Sequence, residues 1–272
     1  MPSSETPQHR EIRHALRQIR NDIESLDAHQ LDSSLLKKYK ICMSPMELDE
    51  SSNDRPIFFR PCDASLLLNP DDQYDEGRSE YTDYDSWDPE LRLHIDCARS
   101  VLDYISYYVF ASSLGSKDFI LRKTWSGVST SDEPFRGLWR DTYPEYGTMR
   151  ADQVKDHSSP HMKAMLYSNL DGNNNSINDE LLQGEILVAL RLAHTQMRRR
   201  RLHGHMTVPV LLFCFMGPQH ARVIEAYFNG TSFVMRTTRL FDLRKKDEAL
   251  IKCFGQWYLG EPTGDTRYLH KV

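Results

Sequence analysis

The chain has 272 residues, with 34 Lys and Arg against 39 Asp and Glu and a net charge of −5. That length suits one large domain or two small ones around a buried core, and 39% hydrophobic with 10% aromatic residues excludes a mainly disordered chain. No apolar run reaches the roughly 18–20 residues of a membrane span; the longest, residues 208–216, is strand-sized. The N-terminal residues lack the apolar core of a secretory signal, and Glu5, Glu11, Asp22 and Glu24 argue against an organelle presequence. Five scattered cysteines with no C-x-x-C pair exclude a zinc ribbon and fit reduced thiols in a cytoplasmic protein.

The distribution of charge says more than its sum. Residues 69–90 hold nine acids and one base, Arg78, a local charge of −8 that leaves +3 on the other 250 residues.

In chain order, Ile12, Leu16, Ile19, Ile23 and Leu26 recur at steps of three and four and predict an amphipathic helix over residues 8–31. Residues 44–60 are polar, with Pro45 and Pro56, and read as a connector or loop. In the acidic stretch, Pro70, Gly77 and Pro89 forbid a continuous helix. Asp88 and Pro89 form a cap and first-turn pair opening a helix striped by Leu91, Ile95, Ala98, Leu102, Ile105 and Val109. Residues 117–125 read as a strand and 126–147 as an aromatic-rich loop. Ser176 and Asp179 have capping-box spacing before a helix using Leu182, Ile186, Ala189, Ala193 and Met197. Strands follow at 207–216, 221–228 and 231–240, with an Asn229-Gly230 hairpin signal, and then a helix at 246–259. The predicted fold is α+β, an antiparallel meander packed with helices whose C-terminal α-β-β-β-α unit is reminiscent of a PD-(D/E)XK core. Residues 1–43 form an N-terminal helical segment, 44–90 a connector with the acidic loop, and 91–272 the α+β core.

Three features bear on chemistry. The first is the acidic loop, where Asp71, Asp72, Asp75 and Glu76 crowd carboxylates that suit a guanidinium clamp, a Mg²⁺ ion or a general base. The second is Arg198, Arg199, Arg200 and Arg201 at a helix end, too many for the helix dipole alone and suited to phosphate; Arg13, Arg17, Arg20, Lys37, Lys38 and Lys40 extend that basic character. The third is the meander, with Glu185 on the preceding helix and Glu225 on its second strand, but with no acid-x-Lys on the third strand for a nuclease metal. His157 and His161, split by Pro160, read as a surface loop, and Cys62 and Ser65 as packing residues.

The segments Tyr81-Thr-Asp-Tyr-Asp-Ser-Trp-Asp-Pro89, Pro134-Phe-Arg-Gly-Leu-Trp139, Pro209-Val-Leu-Leu-Phe213 and Gln219-His-Ala-Arg222 resemble a group of fungal proteins that includes the arginine-containing cyclodipeptide synthases. The resemblance runs over residues 58–264. It implies a D-D-x-x-E motif, met here by Asp71-Asp72-Gln-Tyr-Asp75, with Asp75 in place of Glu and Glu76 one position later. It also implies synthesis of cyclo(Arg-Xaa) from arginyl-tRNA and a second aminoacyl-tRNA, with no cofactor and no metal. Under that reading Asp72, Asp75 and Glu76 are catalytic, Asp71, Glu185 and Glu225 bind substrate, and Arg198 to Arg201 bind tRNA. The alternatives are a PD-(D/E)XK-like nuclease and a non-enzymatic RNA-binding protein. The synthase reading predicts that Asp72→Ala abolishes diketopiperazine formation from charged tRNA, followed by mass spectrometry; full turnover by that variant removes the loop from the mechanism.

Overall fold

The computed structural model describes residues 5–70, 80–115, 124–130, 133–135, 137–173 and 175–270. Helix α1, Pro7–Glu24, starts at Thr6, whose side chain accepts the His9 amide, with Pro7 in the first turn. Its apolar positions Ile12, Leu16, Ile19 and Ile23 are buried as the periodicity predicts. It stops seven residues short of the predicted end because the buried Gln183 amide donates to Ile23 O at 2.8 Å and Leu26 O at 3.0 Å, satisfying carbonyls that a longer helix would use internally. Strand β1, Gln30–Leu31, then pairs with Leu181–Leu182, and α2, Ser33–Lys38, follows an Asp32 cap.

The core of the fold is a mixed sheet. Its strands are β2 (Ile41–Pro45), β4 (Trp125–Val128), β5 (Trp139–Arg140), β6 (Tyr146–Val154), β7 (Met162–Asp171), β9 (Val210–Gly217), β10 (His220–Phe228), β11 (Phe233–Thr237) and β12 (Phe241–Asp242). The order is β2-β11-β10-β9-β7-β6-β4, with β12 added to β10 and β5 to β6. The expected meander is present as antiparallel β9-β10-β11, but β7 joins β9 and β2 joins β11 in parallel. The short strands β3 (Phe59–Arg60), β8 (Leu181–Leu182) and β13 (Glu261–Pro262) lie outside this sheet.

Three further helices are α3 (His94–Gly115), α4 (Gln183–Met197) and α5 (Glu248–Leu259). The sequence order α4-β9-β10-β11-β12-α5 contains the predicted α-β-β-β-α succession with the two-residue β12 added before α5. Helices α1 and α4 cover one face of the sheet, where Leu16, Ile186 and Leu190 meet Leu212, Ile224 and Met235. Helices α3 and α5 cover the other, where Leu102, Ile105 and Phe254 meet Phe213, Val223 and Val234. Consecutive residues of a strand point to opposite faces, so a sheet covered on both sides buries all of them, which is why β9 reads as an unbroken apolar run. Among the described residues no helix is long and apolar enough to cross a membrane.

Several local readings change. Asp88 and Pro89 open a single 3₁₀ turn, Pro89–Leu91, and α3 begins at His94. Residues 117–123 of the predicted strand at 117–125 lie outside the described residues. Ser176 and Asp179 belong to the 3₁₀ turn Asn175–Asp179; at the start of α4 it is Glu185 that reaches back to the Leu182 amide, at 2.9 Å. Asn229 closes the β10–β11 turn by accepting the amides of Thr231 and Ser232, while Gly230 takes a φ of 101° that a side chain would strain. The connector after β2 is held down by Met46, Phe58 and Phe59, all in the core.

His161 is not on a surface loop. It is 2% exposed, with Phe58 and Phe59 edge-on to its ring. Its Nε2 meets Thr263 O at 2.9 Å, and a carbonyl only accepts, so Nε2 carries the proton and Nδ1 accepts from the Ser159 hydroxyl. Burial pushes its pKa down to about 4. The folded value lies below the unfolded one, so stability present near neutrality is lost as pH falls from about 6.5 to about 4, by about 3 kcal/mol for this one group. Urea titrations at pH 7 and pH 4.5, which span most of that window, are expected to give a stability loss smaller by about 2 kcal/mol for His161→Gln than for the wild type; equal losses refute the assignment.

Candidate nucleic-acid interface and candidate active site

The arginine cluster divides three to one. Helix α4 ends at Met197, Arg198 caps it, and Arg200 and Arg201 start the 3₁₀ turn Arg200–Leu202. Arg198, Arg200 and Arg201 are exposed and make no ion pair among the described residues. Arg199 is instead a packing residue. It donates to the Gln153 side chain, lies 3.4 Å from His157 Nδ1, and holds its guanidinium 5.2 Å from the Phe135 ring centre.

Because α1 packs along α4, its arginines join the cluster. His194, on α4, has its pKa pushed down to about 4 by burial and then by Arg20, Arg198, Arg13 and Arg17. Arg20 is also lowered, by burial first and then by Arg191, with Arg17 and Arg198 contributing. Arg13 is paired with Glu5 and Arg191 with Glu24, whereas Arg17 is exposed and makes no such pair among the described residues. The result is a face of mutually repelling cations, which an anion with several charges stabilises. Glu5, His9 and His203 also present ligand atoms within 4.8 Å of one another. Arg13 engages both Glu5 oxygens, at 2.8 and 3.2 Å, so the local charge disfavours a metal cation.

The expected substrate carboxylates Glu185 and Glu225 are corrected by the structure. Both are fully buried and each is consumed by an internal partner. Arg222 clasps Glu185 with Nε at 2.8 Å and Nη2 at 2.5 Å, and its Nη1 donates to Ile177 O and Glu180 O. Glu225 accepts the amides of Ile57 at 3.0 Å and Phe58 at 2.7 Å and the Arg236 guanidinium at 3.1 Å. Arg222 and Glu225 are three apart on β10 and point to opposite faces, so the two acids lie on different sides of the sheet and do not share a metal. Asp71, Asp72, Asp75 and Glu76 lie outside the described residues. Before them, Pro70 O accepts from Tyr104 on α3 at 2.9 Å; after them, the Tyr81 hydroxyl donates to Leu243 O. Burial pushes the Cys62 thiol up to about 11, so it is not poised as a nucleophile.

A third site emerges from pairing alone. Asp152 on β6 stands directly opposite Lys163 on β7, on the face covered by α5. Lys163 is 1% exposed; its ammonium donates to Tyr258 O at the end of α5 and sits 3.8 Å from the Trp125 ring centre. Asp152 accepts the Tyr258 hydroxyl at 2.5 Å and Arg150 Nε at 2.9 Å. Arg150 and Tyr258 both engage the Asp152 carboxylate, and among the described residues Lys163 makes no direct ion pair. Burial pushes the Lys163 pKa down to about 7 against the opposing pull of Asp152. A cavity of about 110 Å³ opens beside this group.

The sequence carried no signal for this site, because Asp152 and Tyr258 lie 106 residues apart and β6 and β7 were not anticipated as strands. Comparison of the chain with protein-family models, curated proteins and solved structures finds no match.

The buried pair on β10 gives a stability prediction. Arg222→Met leaves Glu185 buried without a counter-charge and is expected to cost about 3–5 kcal/mol in urea unfolding. Adding Glu185→Met is expected to recover much of that loss. A single variant as stable as the wild type contradicts the internal pairing.

Proposed function

We propose that the chain is an aminoacyl-tRNA-dependent transferase that forms cyclo(Arg-Xaa), drawing on arginyl-tRNA and a second aminoacyl-tRNA. The observation that carries the reading is the basic face, with Arg198, Arg200, Arg201 and Arg17 exposed and unpaired among the described residues. Guanidinium groups held apart by mutual repulsion match a phosphate backbone, and their sequence-independent contact suits a ligand recognised by shape. The cyclodipeptide part rests on the resemblance and on the acidic residues 71–76, which suit an arginyl side chain. The chemistry needs an amine of one aminoacyl ester to attack the carbonyl of the other, then a second aminolysis that closes the ring. Transfer RNA leaves each time, so the esters themselves supply the activation, and the tRNA pool fits a cytoplasmic location.

A non-enzymatic RNA-binding protein is the second reading that the basic face supports; it differs by giving retention without product. No observation favours the nuclease-like alternative, since Glu185 and Glu225 are buried on opposite faces.

Replacing Arg198, Arg200 and Arg201 together by Ala is expected to weaken tRNA retention at least tenfold at about 0.1 M salt. The slope of log affinity against log salt is expected to fall by about two to three, with an unchanged melting temperature. Unaltered binding by a folded triple variant refutes the interface, and charged tRNA giving no arginine diketopiperazine refutes the synthase.

A further inference from the structure

We propose that the cavity between β4, β6, β7 and α5 is an acyl-transfer centre for α-amino esters, in which Lys163 accepts the proton of the attacking ammonium. The proposal rests on the aminoacyl-ester reading above and gives that reading a catalytic site away from the acidic loop.

Four observations converge on it. The first is isolation: among the described residues the buried Lys163 ammonium is reached through the cavity that its own side chain lines. The second is the neutral form. Burial opposes charge on Lys163 more strongly than the Asp152 carboxylate favours it, so Lys163 is a free amine in part of the population at neutral pH. A base whose pKa is near that of an α-ammonium exchanges a proton with it at little cost.

The third is the surrounding chemistry. The Trp125 ring and the Asp152 carboxylate favour a substrate ammonium, while Arg150, with a third of its side chain exposed, lies at the rim where a carbonyl oxygen gains charge. The fourth is size. About 110 Å³ admits the amino group, α-carbon and ester carbonyl common to every aminoacyl-tRNA and leaves the amino-acid side chain outside. Gly127 keeps the space open, because a Cβ there meets only Asp152 Oδ1, at 3.8 Å.

The step balances with one proton released to water. The α-ammonium of one ester gives a proton through Lys163 Nζ to water, and the freed amine bonds to the carbonyl carbon of the second ester. The nitrogen of that adduct gives its surplus proton to Lys163, the bond from the carbon to the ribose oxygen breaks, and the departing oxygen takes that proton, so Lys163 returns to its neutral form. One amide, one free hydroxyl and one proton in solution replace one ester and one ammonium, and ring closure repeats the exchange. On β6, Asp152 faces this cavity while its neighbour Gln153 holds Arg199 on the opposite face, so one strand borders both the cavity and the basic surface.

The test uses the full chain with arginine ethyl ester, which contains no RNA. Wild-type protein is expected to condense the ester to cyclo(Arg-Arg) at a rate that rises with pH through a midpoint near 7. Lys163→Arg preserves a cation over Trp125 but does not release its proton near neutrality, so a fall of at least a hundredfold in a folded variant is expected. Asp152→Asn removes the charge that favours the ammonium and is expected to move the midpoint below that of the wild type. Cyanate, a three-atom reagent for neutral amines, is expected to carbamylate Lys163 with the same midpoint as mapped by mass spectrometry, and Gly127→Leu is expected to block it.

Lys163 inert to cyanate between pH 6 and 9, or Lys163→Arg as active as the wild type, overturns the proposal and leaves a structural ammonium capping α5. A wild type that binds tRNA but does not condense the ester overturns it while sparing the RNA interface. Condensation without tRNA binding does the reverse.

Discussion

Arg222 sits in the middle of the sheet with no access to water, and a buried guanidinium must find its counter-charge and its hydrogen-bond acceptors inside the protein. That need fixes several elements at once. Glu185 must lie at the start of α4, so α4 begins beside Arg222 and runs over β9 and β7. Ile177 and Glu180 must offer their carbonyls, so the chain before α4 folds into a turn against the same guanidinium. Glu185 also takes the Leu182 amide, and the adjacent Gln183 reaches the last carbonyls of α1. The position of α1, and with it half of the basic face, therefore follows from a charge on β10. On the other side of that strand, Glu225 holds the amides of Ile57 and Phe58 while its partner Arg236 takes the carbonyls of Asp54 and Arg55, tying down what would otherwise be a loose connector.

Strand alternation then separates two environments that the sequence interleaves. Along β6, Gln153 faces α4 and its arginines, while Arg150 and Asp152 face α5, Tyr258 and Lys163. The first side is wet, cationic and suited to a polyanion. The second is nearly dry, and there each proton matters: a carboxylate shared by a phenol and a guanidinium leaves a lysine that burial holds near neutrality.

The C-terminal meander and its flanking helices were legible because their signals are local. Leu182 to Met197 has helical spacing, β9 is an apolar run, and Asn229 with Gly230 marks a turn. The β6–β7 hairpin carries no such signal for a physical reason: Asp152 and Lys163 are buried in it with Arg150 half-buried beside them, and charges at inward positions erase the apolar alternation that identifies a strand. The same blindness put His161 on a surface loop. For Glu185 and Glu225 the error ran the other way, since isolated acids look available until the arginines that neutralise them are seen.

By itself the sequence determined the amphipathic faces, the order of the C-terminal elements, the local acidic excess and the run of arginines, because each depends on neighbours within a turn or a strand. Tertiary structure decided which charges remain available. Arg199 is spent on Gln153 and Phe135, Glu185 on Arg222, and Glu225 on Arg236, whereas Arg198, Arg200 and Arg201 are left to solvent. It also decided that Lys163 meets Asp152 and Tyr258, since strand register and helix docking, acting over a hundred residues, create a desolvated site that no local pattern encodes.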